Sequence, residues 1–423
     1  MSLIDNPEEL LELVYDELGP KDIDKIKYCE IFTPYALVNE ILDKLPCTVW
    51  EDDTLKWLDP AAGIGNFPIA IYLRLIESLK LKIKNKAARK KHILENMLYI
   101  VELTKNNITT YKKIFDSGNE YKLNIYQKDY TTADFNKIFN VNKFDVIVCN
   151  PPYQDATGNT GKGHTLWDKF IMKSLTILKP NGYLASINPS GWRNVSGLFK
   201  DLQKEIIQRN LIYLSIHSER DGKTTFNCDT RYDWYILQNN TTNYKHTTIK
   251  GQDNKLHKIN LRTWEFIPNG RYDDITKLLA KPDDTKVNLL SSNEYRTDKA
   301  HMNKTKTTKF KYPCVYVINS DSEMSLYYSS EDKGHYKIPK LIWTNGRITS
   351  IGSIIDLTGK YALTNYAYAI IDKPTNLPKI QEVFDSNNFR DIMIMCSVNQ
   401  MTINSKIISL FKHDFWKNFS LEQ

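Results

Sequence analysis

No apolar run in the 423 residues approaches the roughly 20 needed to cross a bilayer, so no membrane-spanning helix is expected. The first twenty residues hold no basic side chain, only Asp5, Glu8, Glu9, Glu12, Asp16 and Glu17. That charge pattern speaks against a signal or transit peptide. Cysteine is sparse, with six residues (Cys29, Cys47, Cys149, Cys228, Cys314, Cys396) and no C-x-x-C pair. A disulfide framework or a zinc site is therefore not expected, no metal is assigned, and free thiols in the reducing cytoplasm fit best. The dinucleotide spacing G-x-G-x-x-G is missing from the one glycine turn that follows a strand, which disfavours nicotinamide and flavin. Internal repeats are absent as well.

What is present suits two ordinary domains, each able to bury a core. Charged and apolar residues make up 25% and 41%, and the net charge of +7 is compatible with a polyanionic partner. Tyr 25, Phe 16 and Trp 8 give 12% aromatics, as useful to a core as to base stacking. Residues 5–20 read as an amphipathic helix stopped by Gly19-Pro20. Strand-like and helix-like segments then alternate as far as Tyr232–Gln238, which argues for a parallel sheet wrapped by helices on both faces. A polar stretch near 239–255 changes the texture, and a domain boundary is expected between 240 and 290, drawn at 250.

Four local features carry chemistry. The first is Leu58-Asp59-Pro60-Ala61-Ala62-Gly63-Ile64-Gly65-Asn66, a strand entering a glycine turn and a helix. Small residues there let backbone N–H groups approach a ligand at the carboxyl end of the strand. Second, Glu102 ends the next strand, where a carboxylate can accept both hydroxyls of a ribose. Third, Asp129 follows the third strand, placed either to accept from a nucleoside amine with Tyr130 near the ring, or simply to cap the turn at Thr131–Asp134. Fourth, Asn150-Pro151-Pro152-Tyr153 sits at the carboxyl end of the buried strand Phe144–Cys149. An aryl amine is a poor nucleophile because its lone pair is delocalised into the ring. The Asn150 oxygen and Pro151 carbonyl could accept both amino hydrogens and localise that lone pair toward a methyl sulfonium, with Tyr153 stacking on the base.

In this order the motifs resemble the amino-methyltransferases of DNA restriction–modification systems, in the class whose N-terminal cofactor motif precedes the glycine motif. Glu30-Ile31-Phe32-Thr33-Pro34 matches that motif, although Cys29 stands where relatives often have glycine. The resemblance covers roughly the first 240 residues. It implies a Rossmann-like class I methyltransferase α/β fold with a mixed sheet and a smaller α+β recognition domain. The organisation would be an N-terminal helical extension at 1–27, a catalytic domain at 28–250 and a target recognition domain at 251–423. It implies S-adenosylmethionine as cofactor, held by Phe32, Thr33, Asp59, Ala61, Gly63, Gly65, Asn66, Glu102, Leu103, Asp129, Tyr130, Asn150 and Phe170. Leu166, after the Gly158–Gly163 segment, would line the same pocket, and Phe226 would pack on the target base beside Tyr153.

The implied reaction is methylation of the N6 amine of an adenine flipped out of duplex DNA, catalysed by Asn150, Pro151, Pro152 and Tyr153. Double-stranded DNA and a cognate restriction endonuclease are the implied partners. Ile338–Ile371 is similar to recognition segments of related enzymes. Lys304, Lys306, Lys309 and Arg347 are candidate DNA contacts, with Trp343, Asn345 and Arg347 placed in a loop, although a solvated surface accounts for the lysines equally well. The basic run Lys80–Lys91 reads as solvated surface at the far edge of the sheet. Four rivals share the pocket chemistry or the fold: a protein-glutamine methyltransferase, an RNA base-amine methyltransferase, a cytosine N4 enzyme and a catalytically inactive DNA-binding subunit.

Overall fold

The computed structural model describes residues 2–6, 9–10, 33–154, 165–195, 197–242, 244–319, 322–348, 352–398 and 402–419. Most of the expected helix at 5–20, together with Cys29, Phe32 and the 158–163 segment, lies outside them. The chain divides into two compact units, Met1–Trp264 and Glu265–Gln423.

The first unit is built on nine strands: β1 Trp57–Asp59, β2 Leu98–Val101, β3 Asn124–Tyr126, β4 Phe144–Cys149, β5 Leu178–Pro189, β6 Asn210–Ile216, β7 Tyr232–Gln238, β8 Thr247–Lys250 and β9 Leu256–Ile259. Their order is β3-β2-β1-β4-β5-β7-β6-β8-β9. Strands β1 to β5 run parallel, while β7 is antiparallel to both β5 and β6. The β-then-α rhythm accounts for the parallel strands β1 to β5, and the antiparallel β7 makes the sheet mixed, as the resemblance implied. After β6 the chain passes through the short helix Glu219–Phe226, and β7 then inserts antiparallel between β5 and β6. The order is that of a Rossmann-like mixed α/β sheet. Strand β9 pairs inside this sheet, so the division falls at 264, beyond the 250 drawn from sequence.

β4 is Phe-Asp-Val-Ile-Val-Cys, and its β-branched side chains alternate between two buried faces. Val146 and Val148 join Ala185, Ile187, Trp234 and Ile236 in one core with Val38, Ile69, Tyr111 and Phe115 from the helices. The helix Trp167–Ile177 packs against β5. In the basic run, Arg89 and Lys90 are buried, which corrects the solvated reading. Arg89 donates to the carbonyls of Ile76 and Ile83, and Lys90 pairs with Asp5 at 2.7 Å.

The second unit is α+β. One four-stranded sheet pairs Leu289–Leu290, Ala367–Ile371, Lys340–Thr344 and Ser353–Asp356 in that order, and a second pairs Met302–Asn303, Met324–Ser329, Tyr312–Ile318 and Ala362–Leu363. The helices Leu377–Asp385 and Asn387–Cys396 pack on one another. Trp343, which ends the strand-like segment Lys340–Trp343 of the sequence and was also placed in a loop, lies in the strand Lys340–Thr344. It is fully buried against Phe384, 5.3 Å between rings, because its large apolar ring is stabilised most inside the core. No described helix is long and apolar enough to cross a membrane.

A charge pair that the sequence reading passed over sits at the start of β7. Asp233 accepts from Arg193 Nε at 2.7 Å and from Trp192 Nε1 at 3.0 Å, and Arg193 and Asp233 are both completely buried. Removing one partner strands the other charge in low dielectric. Asp233→Ala is therefore expected to lower unfolding free energy by about 3–5 kcal/mol. Urea denaturation checks this, and a loss below about 1 kcal/mol would contradict it.

Candidate active site

Strand order reverses direction between β1 and β4. From β1 the chain moves outward to β2 and β3, then returns to place β4 on the other side of β1. Leu58 of β1 pairs with Ile147 of β4, so the segments leaving their carboxyl ends, Asp59–Asn66 and Asn150–Tyr153, open into the same crevice. Such a switch point is where open α/β sheets bind ligands.

The glycine turn is shaped by two left-handed residues. Gly63 has φ +55°, and a Cβ there would meet nothing within 4 Å, leaving its backbone open to a ligand. Gly65 has φ +105°, and a Cβ there would come within 2.9 Å of the Tyr111 ring. The turn is held by Asp59, whose Oδ1 accepts from Ala61 N at 3.0 Å, and by Glu102, whose Oε2 accepts from Gly63 N at 2.8 Å. Glu102 also accepts from Thr104 N at 2.7 Å, and Leu103 beside it is 67% exposed.

Thr33 joins this turn to the catalytic one. Its carbonyl accepts from Asn66 Nδ2 at 2.8 Å, and its hydroxyl accepts from Asn150 Nδ2 at 3.1 Å. The second bond fixes the Asn150 amide plane and turns its oxygen to the opposite edge. Pro151 is buried and Pro152 half-buried. Tyr153 is buried too, and its hydroxyl has no hydrogen-bond partner among the described residues. Burial pushes that phenol far above its ordinary range and the Cys149 thiol up to about 12, so neither is ionised near neutrality.

Among the other expected residues, Asp129 takes the turn-capping role that was open to it. Asp129 is exposed and accepts from the Thr131 amide and hydroxyl at 2.8 Å, capping the short helical turn Tyr130–Thr132. Tyr130 is buried, shares a 2.9 Å hydrogen bond with Ser174, and packs on Phe170 with 4.8 Å between rings. Phe226, expected on the target base, is instead buried in the core and meets Tyr232 edge-on at 4.8 Å. Its helix is amphipathic and turns this last apolar residue inward. The Trp192–Arg193–Asp233 group was missed, although one signal was available: a lone aspartate inside the apolar strand Tyr232–Gln238 needs a buried partner. Among the described residues no cluster of three His, Cys, Asp or Glu could hold a metal.

Residues 69–226 match the family model described as Eco57I restriction-modification methylase. An "Uncharacterized adenine-specific methylase" of Mycoplasma pneumoniae is 27% identical over 279 residues, covering 49% of this chain and 65% of that protein. The resemblance is to restriction–modification adenine methylases. A tRNA (guanine(6)-N2)-methyltransferase of Methanocaldococcus jannaschii is also 27% identical, over 215 residues, covering 44% of this chain and 55% of that protein. The chain thus spans less than two thirds of either relative. A nuclease-deletion mutant of the Type ISP restriction-modification enzyme LlaGI, solved with a DNA substrate mimic, shares the fold. Its TM-score is 0.53 at 12% identity, over 96% of this chain and 57% of that one.

The methylase-like crevice has an unusual charge balance. Desolvation, with the neighbouring Glu102 charge, pushes the Asp59 carboxyl up to about 8, and burial raises Glu102 as well. A carboxyl raised in the folded state binds a proton there that the unfolded chain, with a pKa of about 3.9, releases. Its stabilising contribution is therefore complete below about pH 4 and is lost as pH rises toward 8. Asp59→Asn should raise the melting temperature of the ligand-free protein more at pH 8 than at pH 5. Thermal denaturation at the two pH values tests this, and an equal shift at both would refute it.

Proposed function

We propose that this chain transfers a methyl group from S-adenosylmethionine to the N6 amine of an adenine extruded from duplex DNA. The observation that carries the reading is Asn150-Pro151-Pro152-Tyr153 at the carboxyl end of β4, facing the glycine turn of β1 and tied to it through Thr33.

The crevice fits the cofactor on its own terms. Asp59 and Glu102 offer acceptors to hydroxyls and to positive charge, Gly63 leaves its backbone open, and Asn66 Oδ1 is buried with no partner among the described residues. Leu103 presents apolar surface at the rim for a nucleoside ring. Asp59, Ala61, Gly63, Asn66, Glu102 and Leu103 would hold the molecule, with Thr33 bracing the turn. When bound, the cofactor supplies an electrophilic methyl group on a sulfonium.

The chain's own residues prepare the acceptor. The Asn150 amide oxygen and Pro151 carbonyl accept the two amino hydrogens, which draws the nitrogen lone pair out of conjugation. Proline at 151 and 152 removes two backbone donors and stiffens the turn, so these acceptors are preorganised. The Tyr153 phenol, held neutral by burial, offers a stacking face rather than a base. Duplex DNA as substrate requires base extrusion, because the amine is otherwise inside the stack. A second reading, transfer to an RNA base amine, is favoured by one observation, the match to the tRNA methyltransferase.

Asn150→Ala is expected to lower turnover by about a thousandfold or more, in line with loss of a preorganised acceptor, with cofactor affinity nearly unchanged by calorimetry. Near-normal transfer of labelled methyl would remove the assignment. Thr33→Val, which deletes the hydroxyl that orients Asn150, should cut kcat about tenfold while Asn150→Ala gains no further loss from it. A full additional loss in the double variant would mean that the two act independently. Nucleoside analysis of labelled DNA and RNA then separates the two substrates.

A further inference from the structure

We infer that a half-exposed tyrosine face on the second unit, formed by Tyr316, Tyr327 and Tyr366, is the surface on which that unit holds duplex DNA; this rests on the DNA reading above. In the sheet that contains Tyr312–Ile318, one end of the face is covered. Cys314 and Ala362 pack there with Tyr295, and Tyr336 and one side of Tyr327 lie against them. Toward the other end, Tyr316 meets Tyr327 at 5.0 Å and Tyr366 at 5.2 Å, the second pair edge-on. Tyr316 and Tyr327 are half-buried and Tyr366 is 40% exposed, so three large rings are assembled with part of their surface left open.

The charge around the face selects a polyanion. Residues 299–320 hold five lysines (Lys299, Lys304, Lys306, Lys309 and Lys311) and no Asp or Glu. Lys299 pairs with Glu294, but the other four are exposed and form no ion pair among the described residues. They occupy the connection between Met302–Asn303 and Tyr312–Ile318, and Asn303 pairs in register with Tyr328, next to Tyr327. The backbone N–H of Asn345 donates to the Tyr366 carbonyl at 2.7 Å, which sets Asn345, an exposed residue, beside Tyr366. Lysines can neutralise phosphates, tyrosines offer flat surface and hydroxyls to sugar and base edges, and an asparagine amide can read adenine in the major groove. An apolar protein partner would not call for that run of cations.

The test uses the full chain and duplexes selected from a randomised pool by binding. Tyr316→Ala with Tyr366→Ala should weaken binding to the selected duplexes about tenfold or more, with S-adenosylmethionine affinity unchanged. Asn345→Ala, at an exposed position that spares the fold, should change the sequence preference recovered from the pool. Lys304→Ala and Lys306→Ala should each reduce the slope of log affinity against log salt by about 1. If the wild-type chain methylates DNA while the tyrosine and asparagine variants bind and select as it does, the face is not the DNA surface and the functional reading stands. If the wild type binds and methylates RNA but no duplex DNA, the functional reading falls and takes this inference with it.

Discussion

Two hydrogen bonds to one threonine hold the candidate active site together. Thr33 accepts from Asn66 through its carbonyl and from Asn150 through its hydroxyl, so the glycine turn and the catalytic turn share one anchor. Neither turn could be placed by its own strand alone, since β1 and β4 fix only where the two segments begin. The threonine precedes the helix Tyr35–Leu42, whose buried Leu37, Val38, Ile41 and Leu42 lock it onto the same core that carries β4. Core packing thereby reaches the amide of Asn150 through a single side chain. This dependence explains how a residue 117 positions away in sequence can set the orientation of the acceptor.

The carboxylates impose the complementary constraint. Asp59 and Glu102 sit at the ends of neighbouring strands; burial raises the proton affinity of both, and the Glu102 charge raises that of Asp59 further. Backbone amides of Ala61, Gly63 and Thr104 offset part of that cost, and those amides belong to the segments that must curve around a ligand. The turn's shape and the site's charge are thus one arrangement. A ligand bringing hydroxyls and positive charge relieves the burden, whereas an anionic phosphate would add to it. That argues for a nucleoside sulfonium over a dinucleotide at this crevice, independently of the missing third glycine.

Much of this was legible in the sequence, and the exceptions share a cause. Strands β4 and β7 and the helix from Asn66 announced themselves through apolar runs and turn residues, because local pattern is enough to define a buried strand or a capped helix. The order of β7 between β5 and β6 was not legible, since pairing depends on a non-local choice that pattern does not encode. Motif spacing brought Asp59, Glu102 and Asn150 to one crevice, but it could not say how each side chain is used. Asp129 caps a turn, Tyr130 gives its hydroxyl to Ser174, and Phe226 spends its ring on the core. Arg193 stayed hidden because its charge looks like an ordinary surface one until burial is known, although the lone Asp233 inside an apolar strand called for a buried partner.

The groups around the catalytic turn finally restrict how the proposed reaction proceeds. Burial keeps the Cys149 thiol and the Tyr153 phenol protonated, and desolvation lowers His217, stacked on Tyr232 at 4.3 Å, to about 4. The first two are too weakly acidic to give an anionic nucleophile near neutrality, and the imidazole is too weak a base to take a proton from an aryl amine. What remains at the turn among the described residues is neutral amide and carbonyl oxygen on a proline-stiffened backbone. Such groups act by being fixed in place before the acceptor arrives, since their dipoles need no reorganisation as charge develops on nitrogen. A site of this kind gains its rate from rigidity. Under the proposed reaction the anchoring threonine and the paired prolines would therefore belong to the chemistry as much as to the fold.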